Sequence, residues 1–219
     1  MRKFLFSLFA VLLTGSFLYA QVKMNVFAGP QVSTAAYKIR GNKQNTELKP
    51  GFQAGTGLKI PFEKKLYFTP CFFYSLKGYK VNFSAPAFPP DSAATNNNTT
   101  IHSVEIGFLL QYDFSEDAGH WFIKFGPTLD FTLFGREEFD YTDNNGGGTI
   151  SRNMKFSFGD YGRYLASAVA QLGYESSKGY FIFAQYTYGL GSMNNADLGP
   201  QIAHRVLGIS AGAYLRRRK

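Results

Sequence analysis

Residues 101–114 read IHSVEIGFLLQYDF and residues 121–135 read WFIKFGPTLDFTLFG. In the first stretch Val104, Ile106, Phe108, Leu110, Tyr112 and Phe114 alternate with Ser103, Glu105, Gly107, Leu109, Gln111 and Asp113. In the second, Trp121, Ile123, Phe125, Leu129, Phe131 and Leu133 alternate with Phe122, Lys124, Gly126, Thr128, Asp130 and Thr132. Alternation with period two is the signature of a β-strand with two unlike faces. Here the second face is not the charged face of a soluble sheet. It carries Gly, Ser, Thr and Gln with few ions, which suits a crowded interior, while the bulky apolar face suits lipid.

The same pattern extends in both directions. Residues 23–35 place Met24, Val26, Ala28, Pro30 and Val32 on one face. Residues 51–62 do so with Phe52, Ala54, Leu58, Ile60 and Phe62, and residues 66–80 with Leu66, Phe68, Phe72, Tyr74 and Leu76. Residues 158–174, 180–190 and 205–215 complete a set of eight expected strands, and no helical stripe interrupts them. The second, fourth and sixth connections are short, at residues 63–65, 115–120 and 175–179. The first, third, fifth and seventh are long and polar, at residues 36–50, 81–100, 136–157 and 191–204. Short turns alternating with long loops predict an all-β, eight-stranded antiparallel up-and-down transmembrane β-barrel of the outer membrane, with its turns in the periplasm. Phe62, Tyr67, Phe114, Trp121, Tyr174 and Tyr180 flank the short turns and are assigned to the periplasmic aromatic girdle. The competing architecture is a soluble lipocalin-like barrel or two-sheet sandwich.

Composition agrees. The chain has 219 residues, 45% hydrophobic, 17% aromatic and only 17% charged. That aromatic load excludes intrinsic disorder. One cysteine excludes an internal disulfide framework and a Cys-rich zinc module. The several apolar runs of about 20 residues that a multi-helix membrane protein needs are absent from the sequence. Residues 1–20, MRKFLFSLFAVLLTGSFLYA, read as a secretory signal peptide: Arg2 and Lys3 form the positive region, an apolar stretch follows, and cleavage is expected after Ala20. The barrel then occupies residues 21–215 and a basic tail residues 216–219. The net charge of +8 looks like a nucleic-acid footprint, but two of those charges lie in Arg2 and Lys3. Arg216, Arg217, Arg218 and Lys219 hold four more, which leaves a nearly neutral body, so no nucleic-acid partner is expected.

Four stretches, LYFTPCFFYSLKGYKV (66–81), VEIGFLLQYDF (104–114), IKFGPTLDF (123–131) and AQYTYGLGSMNN (184–195), make the chain similar to the PorT-like family of outer-membrane β-barrel proteins. The resemblance implies a small eight-stranded barrel in a Gram-negative envelope and carries no defined activity. The chain departs from the family pattern at Gln185, where an Arg often precedes the tyrosine, and in ending on Leu215 and a basic tail.

The interior charges expected from strand parity are Lys59, Glu105, Asp113, Lys124, Asp130 and Arg163. A turn centred near Asp117 places Glu105 opposite Asp130. Two inward carboxylates at that range repel unless a cation sits between them, and Arg163 is the expected cation. The pair is read as part of a lumen-filling ion network rather than as an acid/base pair of a barrel enzyme. His102 and His204 fall at the loop ends of their strands, where they could meet at the outer rim. Neither His102 with Ser103, on opposite faces, nor His204 with Ser210, about 20 Å apart, makes a dyad. Gly29-Pro30 and Gly126-Pro127 are each expected to mark a bulge or bend. The resulting expectation is a non-enzymatic barrel without cofactor or metal. Its long loops, with Tyr37, Phe83, Phe88, Phe139 and Tyr141, bind or shield at the cell surface. Expected partners are outer-membrane lipids, the insertion machinery, and an extracellular ligand or periplasmic protein. The competing roles are a secretion-machinery component, an outer-membrane lipid-modifying enzyme and a narrow channel.

Overall fold

The computed structural model describes residues 22–143 and 146–215. Eleven strands follow one another: β1 (Lys23–Ile39), β2 (Asn42–Lys43), β3 (Asn45–Glu47), β4 (Lys49–Glu63), β5 (Leu66–Asn82), β6 (Asn96–Asp113), β7 (His120–Asp143), β8 (Gly146–Asn153), β9 (Tyr164–Glu175), β10 (Tyr180–Gly189) and β11 (Gln201–Tyr214). Eight of them close a ring in the order β1, β4, β5, β6, β7, β9, β10, β11, with β11 pairing back onto β1, all antiparallel. Closure removes the free sheet edges that could not be tolerated in lipid. The three short turns lie at one end of the barrel, and Gly179 closes the third at φ +84°. At the other end the strands run beyond the ring. There β8 forms a hairpin with β7, β2 pairs with β1 and β3 with β5.

Two expectations about local geometry need correction. The sixth ring strand begins at Tyr164 rather than at residue 158, because the preceding segment folds over the barrel mouth. The Gly-Pro pairs are not bulges. Pairing of β1 with β11 runs to Ala28↔Ala211 and resumes in the same register at Gln31↔Gly208, so Pro30, which lacks an N–H, sits in a gap of the ladder. β6 and β7 show the same gap between Gly107↔Thr128 and Leu110↔Phe125. The true irregularities are at His102/Ser103, opposite Leu133, and at Pro61/Glu63.

The outer wall carries Val26, Phe72, Ile106, Phe108, Phe125, Leu129, Ile182, Leu207 and Ile209, all exposed. A continuous apolar band of this kind does not stand in water; it faces the bilayer. Phe62, Phe114, Trp121, Tyr174 and Tyr180 are exposed at the short-turn end, and the Trp121 and Tyr174 rings meet edge to face at 5.6 Å. Tyr67 does not belong to this girdle. It follows the inward parity of β5, and its ring receives the Lys59 ammonium at 4.3 Å. A second aromatic row crosses β4, β5, β6 and β7 toward the loop end. It joins Phe52 to Tyr74, the Tyr74 hydroxyl to His102 Nδ1 at 2.5 Å, and His102 to the Phe134 face at 4.2 Å.

The interior is filled in layers. Phe27, Phe73, Phe122, Phe181 and Phe183 form one buried cluster. Inward glycines make room for it: a Cβ at Gly173 would lie 2.5 Å from the Phe122 ring, and one at Gly212 2.3 Å from Phe181. This is why the inward face of the strands is rich in glycine. An amide layer stands beside the phenylalanines. Gln171 donates to Gln185, and Gln185 donates to Gln53 and Thr187. Gln53 in turn donates to Ser210. Gln185 therefore belongs to a neutral chain of hydrogen bonds, which satisfies a buried polar layer without a charge. The space lined by Phe27, Cys71, Lys124 and Phe181 is a cavity of about 20 Å³, about enough for one water.

Candidate functional site

Three clusters of polar side chains stand out from this packing. The first lies on β5, β6 and β7. Glu105 and Asp130 are direct cross-strand partners, both buried. The cation between them is Lys77, not Arg163: its ammonium donates to Glu105 Oε1 at 2.7 Å and to Asp130 Oδ2. Arg163 lies outside the lumen. Its guanidinium donates to the carbonyls of Thr132 and Leu133 and stacks over Phe156 at 4.4 Å. Arg163 lies just before the true start of β9, so strand parity does not govern it. Parity does govern Lys77, which is in phase with inward Thr69, Phe73 and Ser75.

The second cluster closes the short-turn end. The Lys59 ammonium donates to Asp113 Oδ2 at 2.6 Å and to Glu175 Oε2 at 2.8 Å. Gln111 donates to the other oxygen of Asp113, and the Tyr214 hydroxyl donates to Glu175. His120 Nε2 lies 3.0 Å from Asp113 Oδ2 and 3.6 Å from Glu175 Oε2. Glu175 and His120 were not among the expected interior charges. Glu175 shares the inward parity of Gln171 and Gly173, and His120 is brought beside it by the β7–β9 register. Lys124 joins neither cluster. It is buried over the rings of Phe122, Phe181 and Phe183, with its nitrogen 4.9–5.9 Å from their centroids.

The third cluster seals the loop end. Tyr37, Ile39, Tyr79, Val81, Ala87, Ile101, Met154, Tyr161, Met193 and Ile202 are buried against one another, drawn from strands and from three different connections. Glu137, fully buried, is held by Arg152 Nε at 2.7 Å and by the Tyr161 hydroxyl at 2.9 Å, and Arg152 also donates to the Pro90 carbonyl at 2.6 Å. Burial, and then the Tyr79 phenol and the Glu137 carboxylate beside it, push the Tyr161 phenol well above its ordinary range. It therefore stays a hydrogen-bond donor. Tyr37 and Phe139 were expected to be surface contacts, and both are fully buried in or beside this cap; Phe88 remains exposed. On the extensions of β3, β5, β6 and β7, Glu47, Lys80, Asn82, Asn96, Asn98 and Glu138 line an open groove of about 210 Å³.

The histidines do not meet at the rim. His102 is outward in the aromatic row, while His204 is inward, with Nε2 3.4 Å from Met193 Sδ. Ser103 and Ser210 are both buried inside.

No curated protein matches the chain. Among solved structures it is similar to Ail, the attachment invasion locus protein of Yersinia pestis, at 13% identity and TM-score 0.43, covering 88% of this chain and 98% of that one. It is also similar to the outer membrane protein OprG of Pseudomonas aeruginosa, at 10% identity and TM-score 0.47 over 90% and 98%. Neisserial surface protein A matches at 11% identity and TM-score 0.41 over 87% and 97%. Residues 7–195 match the family model described as an outer membrane protein beta-barrel domain, and since that span is most of the chain, the protein belongs to this family of the Gram-negative outer membrane.

Proposed function

We propose that the protein is a non-enzymatic surface barrel of the PorT-like branch, whose outward loops form a fixed platform for binding or shielding. In this reading the signal peptide is removed after Ala20, the short turns face the periplasm and the strand extensions face outward. One observation carries the reading. The long connections pack on a shared apolar cluster over the barrel mouth and are tied by the buried Glu137–Arg152–Tyr161 group. A surface held in this way meets a partner with little ordering cost. The polar groove lined by Asn82, Asn96 and Asn98 supplies donors and acceptors on that surface. The filled lumen weighs against a channel.

The test is a variant in which residues 138–151 are replaced by a short Gly-Ser turn. Its barrel should still show the heat-modifiable mobility of a folded outer-membrane protein. Cells carrying it should lose adhesion to a panel of glycans and matrix proteins, or gain sensitivity to bile salts, relative to cells carrying the wild type. Wild-type behaviour in every assay, with the folded barrel at wild-type level, sinks the reading.

A further inference from the structure

The cluster at the short-turn end holds a feature that ion pairing alone does not explain. Asp113 is the last residue of β6, His120 the first of β7 and Glu175 the last of β9, and His120 pairs directly with Glu175 across the sheet. The turn between β6 and β7 sets the histidine tautomer. His120 Nδ1 lies 2.7 Å from the Asp117 carbonyl, which can only accept, so Nδ1 carries the proton. In the neutral ring Nε2 is then a bare lone pair. The side chain is only 9% exposed, and Nε2 is buried without a hydrogen-bond partner, aimed at two carboxylates. The Lys59 ammonium bonds to both carboxylates, yet Nε2 has no hydrogen-bond partner of its own among the described residues.

The three ligand atoms, Asp113 Oδ2, His120 Nε2 and Glu175 Oε2, all lie within 4.8 Å of one another. Tetrahedral zinc with bonds of about 2.0–2.1 Å sets its ligand atoms about 3.3 Å apart. The nitrogen already stands 3.0 Å and 3.6 Å from the two oxygens. Two surrounding bonds are of the kind that orients metal ligands: the far histidine nitrogen donates to a backbone carbonyl, and Gln111 donates to the Asp113 oxygen that is not offered to the metal.

We propose that Asp113, His120 and Glu175 form a buried binding site for a divalent transition-metal cation of the Zn²⁺ class at the short-turn end. The Lys59 ammonium serves as the resident cation when metal is absent. Metal entry takes the lone pair of Nε2 and one oxygen from each carboxylate, and releases Lys59 with its proton retained. The Tyr67 ring, already 4.3 Å from the Lys59 nitrogen, receives the released ammonium.

The test uses the whole mature chain, folded in detergent micelles, stripped with a chelator and titrated calorimetrically with Zn²⁺. The wild type should bind one equivalent. His120→Gln, which keeps a polar group at the turn, should weaken binding at least about tenfold. Lys59→Met removes the competing cation and should tighten binding at least about tenfold. If Lys59→Met folds poorly in chelator, added Zn²⁺ should restore its heat-modifiable band. Absence of binding to the wild type means that a proton on Nε2 fills the role, and it overturns the proposal. So does His120→Gln binding as the wild type does, or Lys59→Met that neither binds more tightly nor is rescued by the metal.

Discussion

Glu105 and Asp130 face each other across β6 and β7 inside the barrel, and a single ammonium, that of Lys77 on the next strand, serves both. All three side chains are buried. Removing the cation leaves two like charges side by side without water to screen them. Lys77→Met should therefore destabilise the folded barrel by about 3–5 kcal/mol. The urea midpoint of the heat-modifiable transition in detergent reads this directly. Adding Glu105→Gln and Asp130→Asn to Lys77→Met should recover most of the loss, because the charges are then gone together.

Arg163 provides the contrast. Its guanidinium caps two backbone carbonyls and a phenylalanine ring near the barrel surface, with no carboxylate partner among the described residues. Arg163→Leu should shift the same midpoint by no more than about 1 kcal/mol. A drop as large as that of Lys77→Met would mean that Arg163 reaches the buried carboxylates.

These two residues also mark what the sequence made legible. Period-two alternation exposed all eight ring strands, because lipid on one side and a crowded lumen on the other impose opposite chemistry on neighbouring residues. The register of β6 and β7 followed from the length of their turn, so the Glu105–Asp130 pairing was readable. The cation was not assigned correctly because Arg163 lies before the start of its strand, where parity has no meaning. Lys77 lay inside the expected strand 66–80 and was readable by parity, but it was not counted among the interior charges. The cap was hidden for a deeper reason. Tyr161 and Met193 sit in connections without periodicity, and only the closed ring brings those connections together over one mouth.

The cap makes its own prediction. Glu137 is fully buried, and its charge is answered by Arg152 and the Tyr161 hydroxyl. Tyr161→Phe deletes one donor to a buried carboxylate and should cost about 1–3 kcal/mol locally. The ring strands keep their ladder, so the global midpoint should move less than the loops do. Limited proteolysis of folded protein should show faster cleavage within residues 146–163, and Arg152→Ala should accelerate it further. Unchanged cleavage in both variants would show that the apolar cluster alone holds the loops.

Phenylalanine, amide and ionic layers together fill the bore. Phe122, Phe181 and Phe183 cross the lumen against inward glycines and leave a water-sized space. The wild type should be silent in planar bilayers. Phe122→Ala should cost about 3–5 kcal/mol through the cavity it opens. It should remain closed to ions, because the amide layer and both ionic clusters still fill the bore. A steady conductance from the wild type would contradict the packing.

The lipid face can be tested against the lumen on one strand. Phe125 is exposed on the outer wall of β7, and Lys124, one residue before it, is buried among rings inside. In a membrane these neighbours obey opposite rules. Phe125→Arg places a charge in hydrocarbon and should cost about 2–4 kcal/mol near the bilayer centre, less toward the interface. Lys124→Met instead removes a buried cation that makes no ion pair among the described residues, and fills the same space with an apolar chain. It should be neutral or stabilising, since the desolvation of the ammonium is relieved and only cation–π contacts are lost. Folding titrations into lipid vesicles measure both. Tolerance of Phe125→Arg together with damage from Lys124→Met would reverse the assignment of inside and outside. That reversal would also move Glu105, Asp130 and Lys77 to the lipid face, where buried charges of this density could not be held.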